Sequence, residues 1–478
     1  MTNDQTNIQT QPISLTPTQF DQLKQSLSKL QWCVFLESSD NNHADSQWSI
    51  ISATPFATLQ SSAGKTCFKQ GSLCEQNSSD PFQLLKEKRE ALFSNQYSNK
   101  DFPFVGGILG AIDYELGYQF EDINFASQPQ SLALPELSLG FYDWALLCDQ
   151  HTDDFYLVVN NIIGSTVSLK QNWEQRYQWL MAKISHTETH HSEQSDLFKL
   201  ASDWQSNMSK SQYTHKFNQI QSYILSGDCY QVNLAQRFKA RYQGDEYQAY
   251  QKLLEQNHPP FAAFLRLPER VILSLSPERF LKLRNNIVES KPIKGTRPRF
   301  ADSDLDLQSQ QQLQHSEKDR SENLMIVDLL RNDIGRVCLP GTVKVPALFK
   351  IESFPAVHHL VSTVRGTLDN QYQVEDLLRV CFPGGSITGA PKIRAMEIIA
   401  QLEPDRRQSY CGSIGYINAN GDMDMNIAIR TLVCKDGHIY CWAGGGLVAD
   451  SEVNAEYQEC FDKISRILPC LSTLNVIR

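Results

Sequence analysis

No stretch of the 478-residue chain is apolar for long enough to span a bilayer, and the polar opening segment, Met1 to Gln11, lacks the hydrophobic core of a secretory signal. An excess of positive charge is missing too. The formal net charge is −10, which argues against broad nucleic-acid binding or a basic membrane-binding face, while leaving room for a small basic pocket. The 12 cysteines include no Cys-x-x-C pair and no His/Cys cluster at zinc spacing. They read as reduced thiols, buried or half-buried, of a cytoplasmic protein. A Gly-x-Cys-x-Gly nucleophile elbow is also absent. What is present is a globular composition, 41% hydrophobic and 21% charged, long enough for two ordinary domains or one large one.

Short strand-like runs alternate with polar turns in the first half: Trp32 to Leu36, Trp48 to Ser52, Phe141 to Cys148 and Phe155 to Val159. Helical periodicity follows at Trp173 to Ile184. The polar tract His186 to Ser195 reads as a flexible linker and marks a boundary between regions 12–185 and 203–470. The second region opens with a helix. Ser209 and Gln212 form a capping box, Tyr213, Phe217, Ile220 and Ile224 share a face, and Gly227 ends it. Strand-like runs then predominate: Val232 to Phe238, Ala262 to Leu265, Val271 to Leu275, Val361 to Val364, Ile427 to Leu432 and Ile439 to Ala443. Helices between them are too few for regular βαβ alternation, so the expected class is α+β with large, mostly antiparallel sheets flanked by helices.

Seven local features carry chemistry. Pro292-Ile293-Lys294-Gly295-Thr296 holds a lysine in a bend, which matters only if acids and anion-binding loops converge on it. Ser316 to Glu322 opens a buried helix, and taken alone its acids read as a capping box answering the helix dipole. Glu452, Glu456 and Glu459 line one face of another helix, which by itself reads as a solvated stripe. If the two acidic faces met, they would offer hard oxygen donors to Mg²⁺. Pro383 to Lys392 and Gly444-Gly445-Gly446 are glycine-rich turns whose backbone N–H groups suit anions. The first has Walker-like glycine spacing but continues Ala-Pro, which excludes an ATP site. Ser276-Pro277-Glu278-Arg279-Phe280 separates two strand-like runs, and its local reading is a turn ion pair. Arg430, inside an apolar run, requires a partner or an anionic ligand.

In this order, the segments 226–238, 276–280, 292–296, 322–329, 383–392 and 443–451 resemble those of the chorismate-utilising enzymes, and within them the branch that aminates the ring at C4. The resemblance is strong over roughly residues 203–468 and looser before. It implies the anthranilate synthase component I-like fold. It also implies Glu322 and Glu459 as Mg²⁺ ligands, with Asp319 and Glu456 as outer neighbours. Gly295, Thr296, Tyr410, Arg430, Gly444, Gly445 and Gly446 match positions that hold the carboxylates of chorismate. His359 matches a histidine near the reacting ring, Lys294 a nucleophile that adds at C2, and Glu278 the acid that protonates the departing hydroxyl.

Two positions separate this branch from its cousins. Anthranilate synthases resemble the chain but typically carry Ala at the position of Lys294. Isochorismate and salicylate synthases place a water-activating lysine at the position of Gln231. The combination here implies amination of chorismate to 4-amino-4-deoxychorismate for para-aminobenzoate and folate synthesis. The alternatives are anthranilate synthase component I and a non-catalytic tryptophan-binding regulatory subunit. With no nucleophile elbow and no length left for a lyase, ammonia is expected from a separate glutamine amidotransferase subunit. In the first region, Ser38, Ser46 and Trp48, with Pro260, Phe261 and Ala262, resemble the walls of a tryptophan pocket. Ser-Gln-Trp stands where relatives often carry Gly-Arg-Tyr, so an ordinary strand pair is the competing reading.

Overall fold

The computed structural model describes residues 7–38, 46–93, 102–121, 123, 132–185, 197–354 and 357–473. The histidine tract 186–195 lies outside them. Two antiparallel sheets, of 13 and 12 strands, dominate and are flanked by helices. Strands from regions 12–185 and 203–470 enter both sheets. In the larger sheet Cys33–Glu37 pairs with Phe261–Leu267, with Phe35 opposite Phe264. In the smaller one Gly107–Ile112 pairs with Ser413–Asn418, with Gly110 opposite Gly415. The main hydrophobic core is correspondingly continuous, running from Leu23 and Phe35 to Leu447 and Ile464. No helix among the described residues is long and apolar enough to cross a membrane.

Helices begin where their caps place them. Ser209 accepts from the Gln212 backbone N–H and starts helix Lys210–Leu225, which buries Tyr213, Phe217 and Ile220. The helix expected over Trp173 to Ile184 spans Leu169–Ser185. All 12 cysteines are free thiols. Ten are buried, and Cys67 and Cys74 lie on a hairpin at the sheet edge.

Two expected strands are broken, both for the same reason. Phe141 to Cys148 splits at Asp143 into Leu137–Tyr142 of the smaller sheet and Trp144–Asp149 of the larger. Ile427 to Leu432 is not one strand either. Met423–Asn426 lies in the smaller sheet and Thr431–Lys435 in the larger, and residues 427–430 cross between them. A chain that passes from one sheet to the next remains largely buried, so its apolar run continues while its backbone direction changes. A third passage joins Arg270–Ser276 of the larger sheet to Arg279–Arg284 of the smaller, through Pro277 and Glu278. The candidate site is assembled on these passages.

Candidate active site

Lys294 sits in a bulge. Strand Ile293–Pro298 pairs Ile293 with Val361 and then Thr296 with His359, so the register slips by one residue at Lys294-Gly295. Gly295 has φ +79°, and a Cβ there would come within 2.8 Å of Asp319 Cγ and Leu313 Cδ1. A glycine in the left-handed region is what such a bulge requires, and the bulge re-aims the neighbouring side chain. The Lys294 ammonium or amine donates to the Ser386 carbonyl at 3.2 Å. The Ser386 hydroxyl in turn donates to Glu278 Oε1 at 3.1 Å. One residue of the Pro383–Lys392 loop thus touches both candidate catalytic groups.

Glu278 is 5% exposed, at the passage between the sheets. It does not form the expected ion pair with Arg279, whose guanidinium grips Asp424 at 2.8 and 2.9 Å instead. Burial raises the Glu278 carboxyl to about 7, partly opposed by Lys294 and the Ser386 hydroxyl. Burial also pushes the Lys294 amine below its usual value, opposed by Glu322 and Glu278. Both shifts favour the uncharged forms, an amine beside a protonated acid. His359, buried, exchanges a 2.8 Å hydrogen bond with Thr296 Oγ1 through Nδ1. Burial and the nearby Arg430 lower its imidazole to about 3, so the ring is neutral.

Helix Glu317–Gly335 supplies Glu322 and is capped by Ser316, which accepts from the Asp319 N–H. Only the N-cap half of the expected capping box forms, since the Asp319 carboxylate is engaged elsewhere. Asp319 bonds Arg297 at 3.0 Å, while Glu322 faces Lys294. Burial raises the Glu322 carboxyl, with Lys294 opposing. The stripe on helix Val453–Asp462 is not simply solvated, because Glu456 is 3% exposed and accepts from the Ser451 hydroxyl. Glu459 meets Lys463 at 2.7 Å, and Lys318 lies 3.6 Å from Glu456. Burial acts to raise the Glu459 carboxyl, but Lys463, Lys318 and Lys294 together outweigh it and the net shift is downward. Both Glu322 and Glu459 act electrostatically on Lys294. Among the described residues no three His, Cys, Asp or Glu side chains close into a ready-made metal cluster. Two separate carboxylates nonetheless suit Mg²⁺, which takes few protein ligands and completes its shell with water and substrate.

Gly444, Gly445 and Gly446 lie inside strand His438–Leu447, not after it, opposite Ala235, Leu234 and Asn233. Cβ atoms would come within 2.4 Å of Leu234 O at Gly444 and within 2.4 Å of Gln231 Nε2 at Gly446. At Gly445 a Cβ would lie 3.2 Å from Glu456 and 3.3 Å from Glu459. Arg430 ends a passage between sheets with φ +52°. Its guanidinium forms no hydrogen bond or ion pair among the described residues. Burial, then Arg466, lowers its pKa. A cation in that setting suits an anionic ligand. Tyr410 is buried and stacked on Trp442 at 6.4 Å. Gln231 is fully buried, donates to Asn233 Oδ1 at 3.1 Å, and leaves Oε1 unpaired among the described residues.

A profile of the chorismate binding enzymes matches residues 32–469. The chain belongs to this family. Among its relatives, aminodeoxychorismate synthase component 1 of Escherichia coli (strain K12) is 49% identical over 442 residues, covering 92% of this chain and 94% of that one. Anthranilate synthase component 1 of Streptomyces coelicolor is 36% identical over 382 residues, covering 77% and 73%. The crystal structure of anthranilate synthase component I from Streptococcus pneumoniae superposes with a TM-score of 0.76 at 29% identity, covering 89% of this chain and 93% of that one. The two-sheet architecture is thus that of the family.

Sequence reasoning left three groups at the site without a role. Lys463 was legible, since it lies four residues after Glu459 on one helix. Lys318 was not, because its partner Glu456 is distant in sequence. Ser386 stood inside a glycine-rich motif that drew attention to its backbone alone.

A second site lies elsewhere. A cavity of about 160 Å³ between the sheets is lined by Trp48, Pro260, Phe261 and Ala262, together with Glu37 and Gln47. Ser38 and Ser46 adjoin these last two in sequence. Both hydroxyls are buried and form no hydrogen bond among the described residues.

Proposed function

We propose that the chain aminates chorismate at C4, using ammonia from a separate glutamine amidotransferase subunit, to give 4-amino-4-deoxychorismate. The observation that carries this reading is the Lys294–Ser386–Glu278 chain of contacts, in a family member nearly half identical to an aminodeoxychorismate synthase component 1. Arg430, Tyr410, Thr296 and the glycine strand receive the substrate's carboxylates, and His359 stands beside the ring. Glu322 and Glu459 hold Mg²⁺, which supplies positive charge for the ring carboxylate when bound.

Neutral Lys294 forms a bond from Nζ to C2. The diene electrons shift, the C4–O bond breaks, and Glu278 gives its proton to the departing oxygen, releasing water. Ammonia then bonds to C4, the electrons shift back and the C2–N bond breaks, restoring the lysine amine. The proton lost by the added ammonia returns to Glu278. Net, ammonia replaces water.

The test is product identification. The purified chain, given chorismate, Mg²⁺ and ammonium, is expected to yield 4-amino-4-deoxychorismate. With glutamine in place of ammonium it is expected to yield none, and chelation by EDTA is expected to stop the reaction. Anthranilate as the product would overturn the reading, as would glutamine-dependent turnover without a second polypeptide.

We read the second cavity as a tryptophan site, supported by its aromatic and proline walls. A ligand at 100 times its Kd stabilises the folded state by about 2.7 kcal/mol. Tryptophan is therefore expected to raise Tm, and Trp48→Ala to remove that rise. An unmoved Tm across millimolar tryptophan would reject the assignment.

A further inference from the structure

The geometry points to Ser386 as the positioning residue that sets acid and nucleophile against each other, its carbonyl aligning Lys294 Nζ and its hydroxyl aligning the Glu278 carboxyl. This rests on the reading that Lys294 and Glu278 perform the C4 amination.

The two contacts come from different parts of one residue, at 3.2 Å from the main chain and 3.1 Å from the side chain. The main chain is fixed independently of the hydroxyl. Ser386 lies in a single 3-10 turn, Gly385–Ile387. The Arg407 guanidinium donates to the Ile387 carbonyl at 2.9 Å, and Thr388 Oγ1 donates to the Gly384 carbonyl at 3.1 Å. Gly385 packs so closely that a Cβ would lie 1.7 Å from Leu329 Cδ2. Asn233 Nδ2 approaches the same Ser386 carbonyl at 3.5 Å. Removing the hydroxyl therefore leaves the lysine's acceptor in place and takes one of the acid's donors, the Ile293 backbone N–H remaining.

The carboxyl then keeps only the Ile293 donor and loses the one that comes from the residue holding Lys294. A hydroxyl donating to Oε1 favours the acidic proton on the other oxygen, Oε2. It also stabilises the carboxylate that remains after proton transfer. Ser386 is itself 7% exposed, so water does not readily replace it.

The experiment compares wild type, Ser386→Ala and Ser386→Cys, with ammonium as nitrogen donor, after circular dichroism and Tm confirm folding. Cysteine keeps the size and donates weakly. In Ser386→Ala, kcat is expected to fall by about 10- to 100-fold, with KM for chorismate little changed. The alkaline limb of the kcat profile is expected to move to higher pH, because the carboxylate has lost a donor. Ser386→Cys should fall between the two in both measures. A wild-type kcat and an unmoved limb in Ser386→Ala would overturn the proposal while leaving C4 amination standing. So would a loss confined to KM. A wild-type enzyme that makes no 4-amino-4-deoxychorismate would overturn the underlying reading as well.

Discussion

Lys294→Ala is expected to lose C4 amination by on the order of 10³-fold or more. Without the amine, ammonia must displace hydroxide at C4 directly, and the two-step exchange through C2 is no longer available. The loss belongs to chemistry and not to binding. Arg430, Tyr410 and the glycine strand keep their places, because the bulge is held by Gly295 and the Thr296–His359 contact and not by the lysine side chain. Chorismate should therefore still bind. Removing the amine also opens the C2 face, so a trace of anthranilate is the expected side product. Mass spectrometry of quenched wild-type enzyme should show a substrate adduct on the peptide carrying Lys294. Aminodeoxychorismate formed at the wild-type rate by Lys294→Ala would make the lysine a spectator and direct attack the mechanism.

Glu278→Gln is expected to cost about 10²- to 10⁴-fold in kcat. Glutamine is isosteric and keeps an acceptor for the Ser386 hydroxyl, so the fold and the loop should survive, yet it has no proton to give. The pH profile provides the sharper readout. Burial holds the Glu278 carboxyl at about 7, and the acid form is the active one. Its fraction falls as pH rises through 7, so wild-type kcat should decline on the alkaline side. Burial also displaces Lys294 below the usual lysine value, which favours the neutral amine the reaction needs. In Glu278→Gln the alkaline limb should vanish. If the variant keeps that limb, another group is the acid.

The depressed lysine and raised carboxyl have one cause. Glu278 sits where the chain passes between the sheets and Lys294 in a bulge of the smaller sheet, and burial makes each costly to charge alone. Charging them together as an ion pair is opposed by the same desolvation. Glu322 and Glu278 partly restore the lysine's basicity.

Local chemistry was legible wherever a short segment decides its own structure. The capping box at Ser209 fixes its helix start through hydrogen bonds three residues apart. Strand Trp48–Ser52 was read to the residue. The motifs that resemble the chorismate-utilising enzymes are local as well, so the family could be named before any contact was known. The Glu459–Lys463 pair belongs here too, since its members lie one helical turn apart.

What the sequence by itself determined was therefore the α+β class, the capped helices and which residues carry reactive groups. The tertiary structure alone decided which of those groups meet. Apolar periodicity reports burial and not direction, so Tyr142 to Trp144 and Asn426 to Thr431 read as continuous strands although the chain changes sheets there. The passages at Glu278 and Arg430 are of this kind, and they bring Glu278 to Ser386, 108 residues away in the chain. They also set Arg430 apart from any counter-charge among the described residues. A charge's pKa and purpose depend on neighbours brought together by such long-range packing, which no local spacing encodes.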